Sequence, residues 1–417
     1  MVDYNFSRMQ LNYLGLAVPF FIFFIALEYY YSRRKGKNFY QYAESVANLN
    51  VGIAERLLDV FTTGLFFFVF DYLHKNWALF DIKVNWWTWL LLFLATDLVW
   101  YWYHRLAHEI NAFWAVHVVH HQSEDFNYTV SARITVFQAL VRSMFWSVLP
   151  LIGFPAVMIS TLLLIHGLYP FFIHTQALGK WGWLEKILVT PTHHGIHHAS
   201  NPEYLDKNYG DVLIIWDKLF GTFAEERRDV KIVYGLTKPL GSHSFLWQHF
   251  HFILEIYLNF KHARGFRARW KVLFGKPDDL DPRYRSVLER HLLNLAPGKS
   301  PQPTTAIRQY VTGQTIFSLS LLFVTILFEH HLSRMQLVLF SLFIVISLIN
   351  SGAILDQRRW IFYLEYARMV LVILAIGLFY PNSWTISVLL AVVVLITWYF
   401  RPIKRYYFQL LYAGSGH

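Results

Sequence analysis

Three short runs of this chain concentrate imidazoles: "HRLAH" at 104–108, "HVVHH" at 117–121 and "HHGIHH" at 193–198. Eleven of the 20 histidines lie between positions 104 and 198. His104 and His108 stand one helical turn apart on one face. His117, His120 and His121 are spaced i, i+3, i+4, again one face, and His194, His197 and His198 repeat that spacing. Imidazole is the commonest protein metal ligand and suits Zn, Fe, Cu and Ni. A lone histidine reads as a satisfied core residue; three clusters at ligand spacing read as a metal site. Eight ligands are too many for one tetrahedral ion and match two ions that each keep an open position. The chain has no cysteine. That excludes disulfides, iron–sulfur clusters, thiolate-ligated haem, Cys-containing zinc sites and Cys nucleophiles. Any metal must be held by His, Asp or Glu.

Two familiar metal motifs are absent. "HEINA" (108–112) has no second histidine, so the zinc-peptidase HExxH fails, and the paired Glu-x-x-His of carboxylate-bridged bundles is missing. Glu109 is the nearest carboxylate in sequence. Asp97 precedes His104 by seven residues and His108 by eleven, which puts it on their helix face. A carboxylate inside an apolar run is costly and usually has a purpose. It is expected to hold a ligand imidazole in the required tautomer, or else to bridge helices. His174, at the end of an apolar run, is a candidate ninth ligand or ligand orienter. His193 is read as a spare donor, and His243, His249, His251 and His262 as interfacial or substrate-facing.

The elements that must position these residues belong to a membrane protein. The 417 residues are 55% hydrophobic and only 15% charged, against about a quarter charged in soluble domains. Nine apolar runs, near 11–31, 51–73, 86–103, 134–150, 155–173, 314–329, 335–351, 360–380 and 384–400, are expected to cross the bilayer as helices. The fold class is therefore all-α: a polytopic bundle of about nine spans with a His-rich helical cap. With the N-terminus outside, "SRRKGK" (32–37), the loop 104–133, the segment 174–313, "DQRR" (356–359) and "RPIKR" (401–405) fall inside. Arg8, Lys75, Lys83 and Arg334 alone fall outside. This asymmetry obeys the positive-inside rule and puts all three clusters on the cytoplasmic side of a bacterial inner membrane or the endoplasmic reticulum. The net charge of +10 is then explained by basic loops beside anionic lipid, with no nucleic-acid partner. The segment 244–271 reads as an interfacial helix followed by a headgroup-facing basic stretch. The expected division is 1–85 (N-terminal spans), 86–275 (catalytic region), 276–313 (linker) and 314–417 (C-terminal spans).

The stretches "YWYHRLAHEINAFWAVHVVHHQSEDFNYTVSAR" (101–133), "HTQALGKWGWLEKILVTPTHHGIHHASNPEYLDKNYGDVLIIWDKLFGTF" (174–223) and "VYGLTKPL" (233–240) resemble the fatty acid hydroxylase and sterol desaturase superfamily, most closely its alkylglycerol branch. The resemblance runs over roughly residues 20–275. It implies that His104, His108, His117, His120, His121, His194, His197 and His198 are the metal ligands and Glu109 the essential acidic residue. It implies two Fe ions, O2 activation, tetrahydrobiopterin as reductant, and hydroxylation of an ether-linked carbon in a glycerol lipid drawn from the bilayer. Other branches take electrons from a donor protein. Oxidising an unactivated C–H needs a redox metal, and Zn cannot change valence, although purified imidazole sites often take up Zn. Trp100, Trp102, Tyr103, Trp114, Phe171 and Phe172 are candidates to line a lipid entry. Three readings stand: an ether-lipid monooxygenase, a sterol or fatty-acyl hydroxylase or desaturase, and a non-enzymatic zinc-binding membrane protein.

Overall fold

The computed structural model describes residues 11–293 and 302–412; Arg8 and part of the 276–313 segment lie outside the described residues. Among the described residues the regular structure is helical, with two isolated β-bridges, Leu188 to Leu213 and Ala199 to Tyr234. The chain divides into two compact units, Phe24–Leu240 with Trp247–Gly298, and Met1–Phe23 with Gly241–Leu246 and Lys299–His417.

The first unit carries the histidine clusters. Its helices are α1 (Ala17–Arg34, which begins in the other unit), α2 (Tyr42–Trp77), α3 (Trp86–Glu109), α4 (Asn111–His117), α5 (Tyr128–Ser131), α6 (Gln138–Trp146), α7 (Val148–Ile152) and α8 (Ala156–Ile173). After these come α9 (Pro191–His197), α10 (Ile215–Phe220), α11 (Phe245–His262, which also begins in the other unit), α12 (Phe266–Phe274) and α13 (Arg283–Leu288). Asn85 starts α3 with a capping box: its side chain accepts from the N–H groups of Trp87 and Thr88, and Thr88 Oγ1 accepts from Asn85 N–H. Phe70 of α2, Leu92 of α3, Trp146 of α6, Leu149 of α7 and Met158, Ile159 and Leu162 of α8 form a buried apolar cluster that fixes α3 among its neighbours. Gly153, at φ +129°, ends α7, where a Cβ would lie 2.0 Å from the Phe80 carbonyl; only glycine fits that turn. On the ligand side, α2 is stapled by Asn48. Its amide donates to Ser123 Oγ and Thr129 Oγ1 and accepts from Arg133 Nη1 at 2.9 Å.

The second unit holds α14 (Thr305–Leu327), α15 (Arg334–Leu355), α16 (Ile361–Phe379), α17 (Ser383–Trp398) and α18 (Phe400–Tyr412). Its buried polar knot is Glu365, which accepts from Tyr310 and Gln314 and pairs with Arg368. The axes of α17 and α18 meet at 69°.

Nine crossings are not shown. Among the described residues five helices are long and apolar enough to span: Tyr13–Arg34, Ala156–Ile173, Thr305–Leu327, Arg334–Leu355 and Ile361–Phe379; the bent pair α17–α18 would be a sixth. The runs at 51–73 and 86–103 lie inside α2 and α3; Glu55, Arg56 and Asp59 interrupt the first run and Asp97 the second, and Glu44, Arg105 and Glu109 flank them on the same helices. The run at 134–150 is a short apolar stretch, Gln138–Ile152, broken into α6 and α7. The chain remains an integral multi-pass membrane protein, but a threading that counts nine crossings loses its basis.

Candidate metal centre

Each histidine run takes a different local form. The last turns of α3 supply His104 and His108. His117 ends α4, and the chain then tightens into a 3₁₀ turn, Val118–His121, that carries His120 and His121. Thr190 and Pro191 start α9, which presents His194 and His197, with His198 as its C-cap. His174 caps α8, just past Pro170.

These elements bring nine imidazoles into two groups. His104, His108, His117, His121 and His197 form one; His120, His174, His194 and His198 form the other. Within each group the donor atoms lie within 4.8 Å of one another. The expectation that each trio shares one face needs correction. Residues four apart stay together: 104 with 108, 117 with 121, 194 with 198. The i+3 member of each trio, His120 or His197, turns to the other group. Each of the two short turns therefore feeds both groups.

The donor set fits metal ions. His104 Nδ1–H donates to the Tyr209 carbonyl (2.8 Å), His197 Nδ1–H to Lys207 (2.9 Å), His120 Nδ1–H to Arg133 (3.2 Å) and His174 Nδ1–H to Pro170 (2.5 Å). A carbonyl at Nδ1 fixes the proton there and leaves Nε2 a bare lone pair. His120 and His174 consequently face each other with two lone pairs 3.2 Å apart. Nε2 atoms are also 2.9 Å apart between His174 and His194, and 3.0 Å apart between His104 and His117. Such buried lone pairs repel unless a cation lies between them. The spacing is the ~3 Å edge expected around one ion with bonds of about 2.0–2.1 Å. Burial, reinforced by neighbouring imidazoles, holds His104, His117, His120, His121, His194, His197 and His198 well below the usual imidazole value. Burial alone takes His174 down to about 4. The rings are neutral at pH 7, the form that binds metal.

The outer layer differs from expectation. Asp97 makes no hydrogen bond to a ligand imidazole. Its carboxylate accepts from Val212 N–H (2.9 Å), Leu213 N–H (3.1 Å) and Trp216 Nε1–H (2.9 Å). The reason is that main-chain carbonyls already occupy the Nδ1 sides of the rings, so Asp97 holds the loop that supplies one of them. Asp217 does the same from the other end, accepting from Tyr209 N–H and Gly210 N–H, each at 2.8 Å. Glu109 lies outside both groups and pairs with Arg105 at 2.9 Å. The carboxylate nearest a ligand is Asp206, 3.7 Å from His108 Nδ1. His166 pairs with Asp211 (2.7 Å) beside Asp97, and His193 Nδ1 accepts from Thr190 N–H.

Sequence reasoning missed Arg133, which is buried and donates to the Val119 carbonyl, to Asn48 and to Gln122 while its own carbonyl receives His120. Burial pulls its guanidinium down to about 10, still charged at pH 7. It clamps the ligand-bearing turn 118–121 from both sides. Of the aromatic candidates, Trp114 lies 4.9 Å from His108 and Trp100 6.4 Å from His104, ring to ring. Phe171 stacks on Tyr128.

The family model described as fatty acid hydroxylase matches residues 89–222, the region that contains all nine imidazoles. Alkylglycerol monooxygenase of Homo sapiens is 36% identical over 353 residues, 83% of this chain and 78% of that protein. The alkylglycerol monooxygenase of Xenopus tropicalis is 33% identical over 86% of this chain and 81% of its own length, and that of Danio rerio 32% over 87% and 82%. No solved structure matches the chain.

Proposed function

The chain belongs to the fatty acid hydroxylase family, and from that premise we propose that it is a di-iron monooxygenase that oxidises the ether-linked carbon of an alkylglycerol. Its membership makes it an oxidoreductase of membrane lipid. The observation that carries the finer reading is the pairing of two all-imidazole groups, five and four strong, with Nε2 atoms converging in each. Iron bound there supplies the valence change that O2 chemistry at an unactivated C–H requires.

The chain's own residues do the rest. The carbonyls of Tyr209 and Lys207 aim two rings of the larger group, and those of Arg133 and Pro170 aim two of the smaller. Trp100 and Trp114 wall the site and limit water. Glu109, at the rim, is the proposed acidic residue of the reaction. A hydroxyl placed on the carbon next to the ether oxygen gives a hemiacetal, which breaks to an aldehyde and a glycerol. One O2, two electrons and two protons are consumed, and water is the second product. Tetrahydrobiopterin is the proposed electron source, on resemblance to the alkylglycerol branch. The proposed location of the site is the cytoplasmic side, supported by the basic runs "SRRKGK" and "DQRR" at the ends of α1 and α15.

A fatty-acyl or sterol hydroxylase fed by an electron-donor protein is the second reading, favoured by the family model over 89–222. The test is aldehyde release from an alkylglycerol with and without tetrahydrobiopterin. Release that depends on the pterin supports the first reading. Turnover of a fatty-acyl lipid or sterol instead, with no aldehyde, supports the second.

A further inference from the structure

A cleft of about 660 Å³ opens in the second unit between the start of α16 and α18, far along the chain from any histidine of the metal centre. Arg359, Trp360 and Tyr363 line one side; Lys404, Arg405 and Phe408 line the other. We propose that this cleft binds the phosphate-bearing headgroup of an anionic membrane lipid.

Three observations carry it. The first is depth. α16 starts a candidate span at Ile361, α17 ends its apolar run at Trp398, and α18 turns away at 69°. Edge-to-face contacts of Phe362 with Phe400 and Tyr407 bring those two helix ends together, so the cleft sits where a span leaves the bilayer. Trp360, Trp398 and Tyr399 are exposed there, as interfacial aromatics are. The second is charge. The lining holds three cations and no carboxylate. Among the described residues no ion pair neutralises Arg359, Lys404 or Arg405, and the nearby carboxylates are engaged elsewhere: Asp356 with Ser242 and His243 N–H, Glu365 with Arg368. The third is order. Lys404 Nζ donates to Tyr363 OH at 2.8 Å and lies over that ring at 4.7 Å, which holds its charge at the mouth rather than free in solvent. A phosphate diester placed there meets a bidentate guanidinium and an ammonium, with its acyl chains free to run along the exposed Val394 and Leu395 of α17.

The full-length protein in nanodiscs of mixed phosphatidylcholine and phosphatidylglycerol tests this, with retained lipid counted by native mass spectrometry. Wild type is expected to retain phosphatidylglycerol preferentially. The variant R359Q/R405Q changes two exposed residues and leaves Lys404 on Tyr363; it should lose that preference by roughly fivefold per cation, with an unchanged melting midpoint. Equal retention by variant and wild type would overturn the proposal. So would displacement of the lipid by millimolar inorganic phosphate, which would make the cleft a site for the free anion.

Discussion

His120 and His174 point their Nε2 lone pairs at each other across 3.2 Å, each with its Nδ1 proton already given to a main-chain carbonyl. Neither ring has a proton left for that gap, so a cation belongs in it. His174 lies outside all three histidine runs, and the smaller group has only four donors. H174A is expected to lower bound metal from about two ions per chain to about one, because three imidazoles hold an ion less tightly than four. Metal counted by mass spectrometry on purified protein checks this; two ions retained would remove His174 from the ligand set.

The loop 209–213 is held at both ends by carboxylates, Asp217 on Tyr209 and Gly210 and Asp97 on Val212 and Leu213. Between them the Tyr209 carbonyl sets the His104 ring. D217N replaces one acceptor oxygen by a donor facing an N–H. Metal affinity is expected to fall roughly 10–100-fold, as when other groups that orient a ligand are lost. Competition with a chelator measures it. D97N, which should act through the same loop, is expected to weaken metal in the same direction, and an unchanged affinity in both would break the link.

Glu109 offers a separation of roles. It joins neither donor group and its contact with Arg105 is a partly exposed pair, worth at most about 1 kcal/mol. E109Q should keep its metal and its melting midpoint while turnover drops by roughly 100-fold or more, the scale of a lost proton-handling group. A variant that loses metal instead would make Glu109 part of the cage.

A pH effect is expected from Glu255 on α11. Burial pushes its carboxyl up to about 7 although Arg285, 4.0 Å away, pulls the other way. A raised acid favours the folded state fully below its unfolded value of 4.5, and that contribution is lost as pH rises toward 7. The stability gap between wild type and E255Q should therefore shift against wild type by up to about 3 kcal/mol between pH 4.5 and 7, then level off. Thermal unfolding of both proteins across that range reads it; a constant gap would show that Glu255 stays charged.

What could be read from sequence was what side-chain spacing alone encodes. His104 with His108, and His194 with His198, are pairs because four residues make a turn. His174 was legible as a polar residue at the end of an apolar run. The carbonyls of Tyr209, Lys207, Arg133 and Pro170 were not, since every residue type offers the same oxygen and only the fold says which ring it meets. Asp97 was legible as a buried carboxylate with a purpose, either a ring to orient or helices to bridge; its bonds run instead to Val212 and Leu213 N–H of a loop and to Trp216. Among the described residues the structure shows five or six candidate spans, not nine, for a related reason. Runs rich in Trp and Tyr, such as that of α3, look apolar by eye, yet these rings are amphipathic. Their helices also continue past the run into charged turns.

The turn 118–121 and helix α9 each send ligands to both donor groups, and among the described residues no carboxylate belongs to either group. The distance between the groups is accordingly written in two short pieces of backbone, not in a bridging side chain that can shift with the ions. The centre behaves as a geared pair: a rotation of either piece moves both sets of donors at once. Exchanging one ion for another of similar size should leave the gear train where it was.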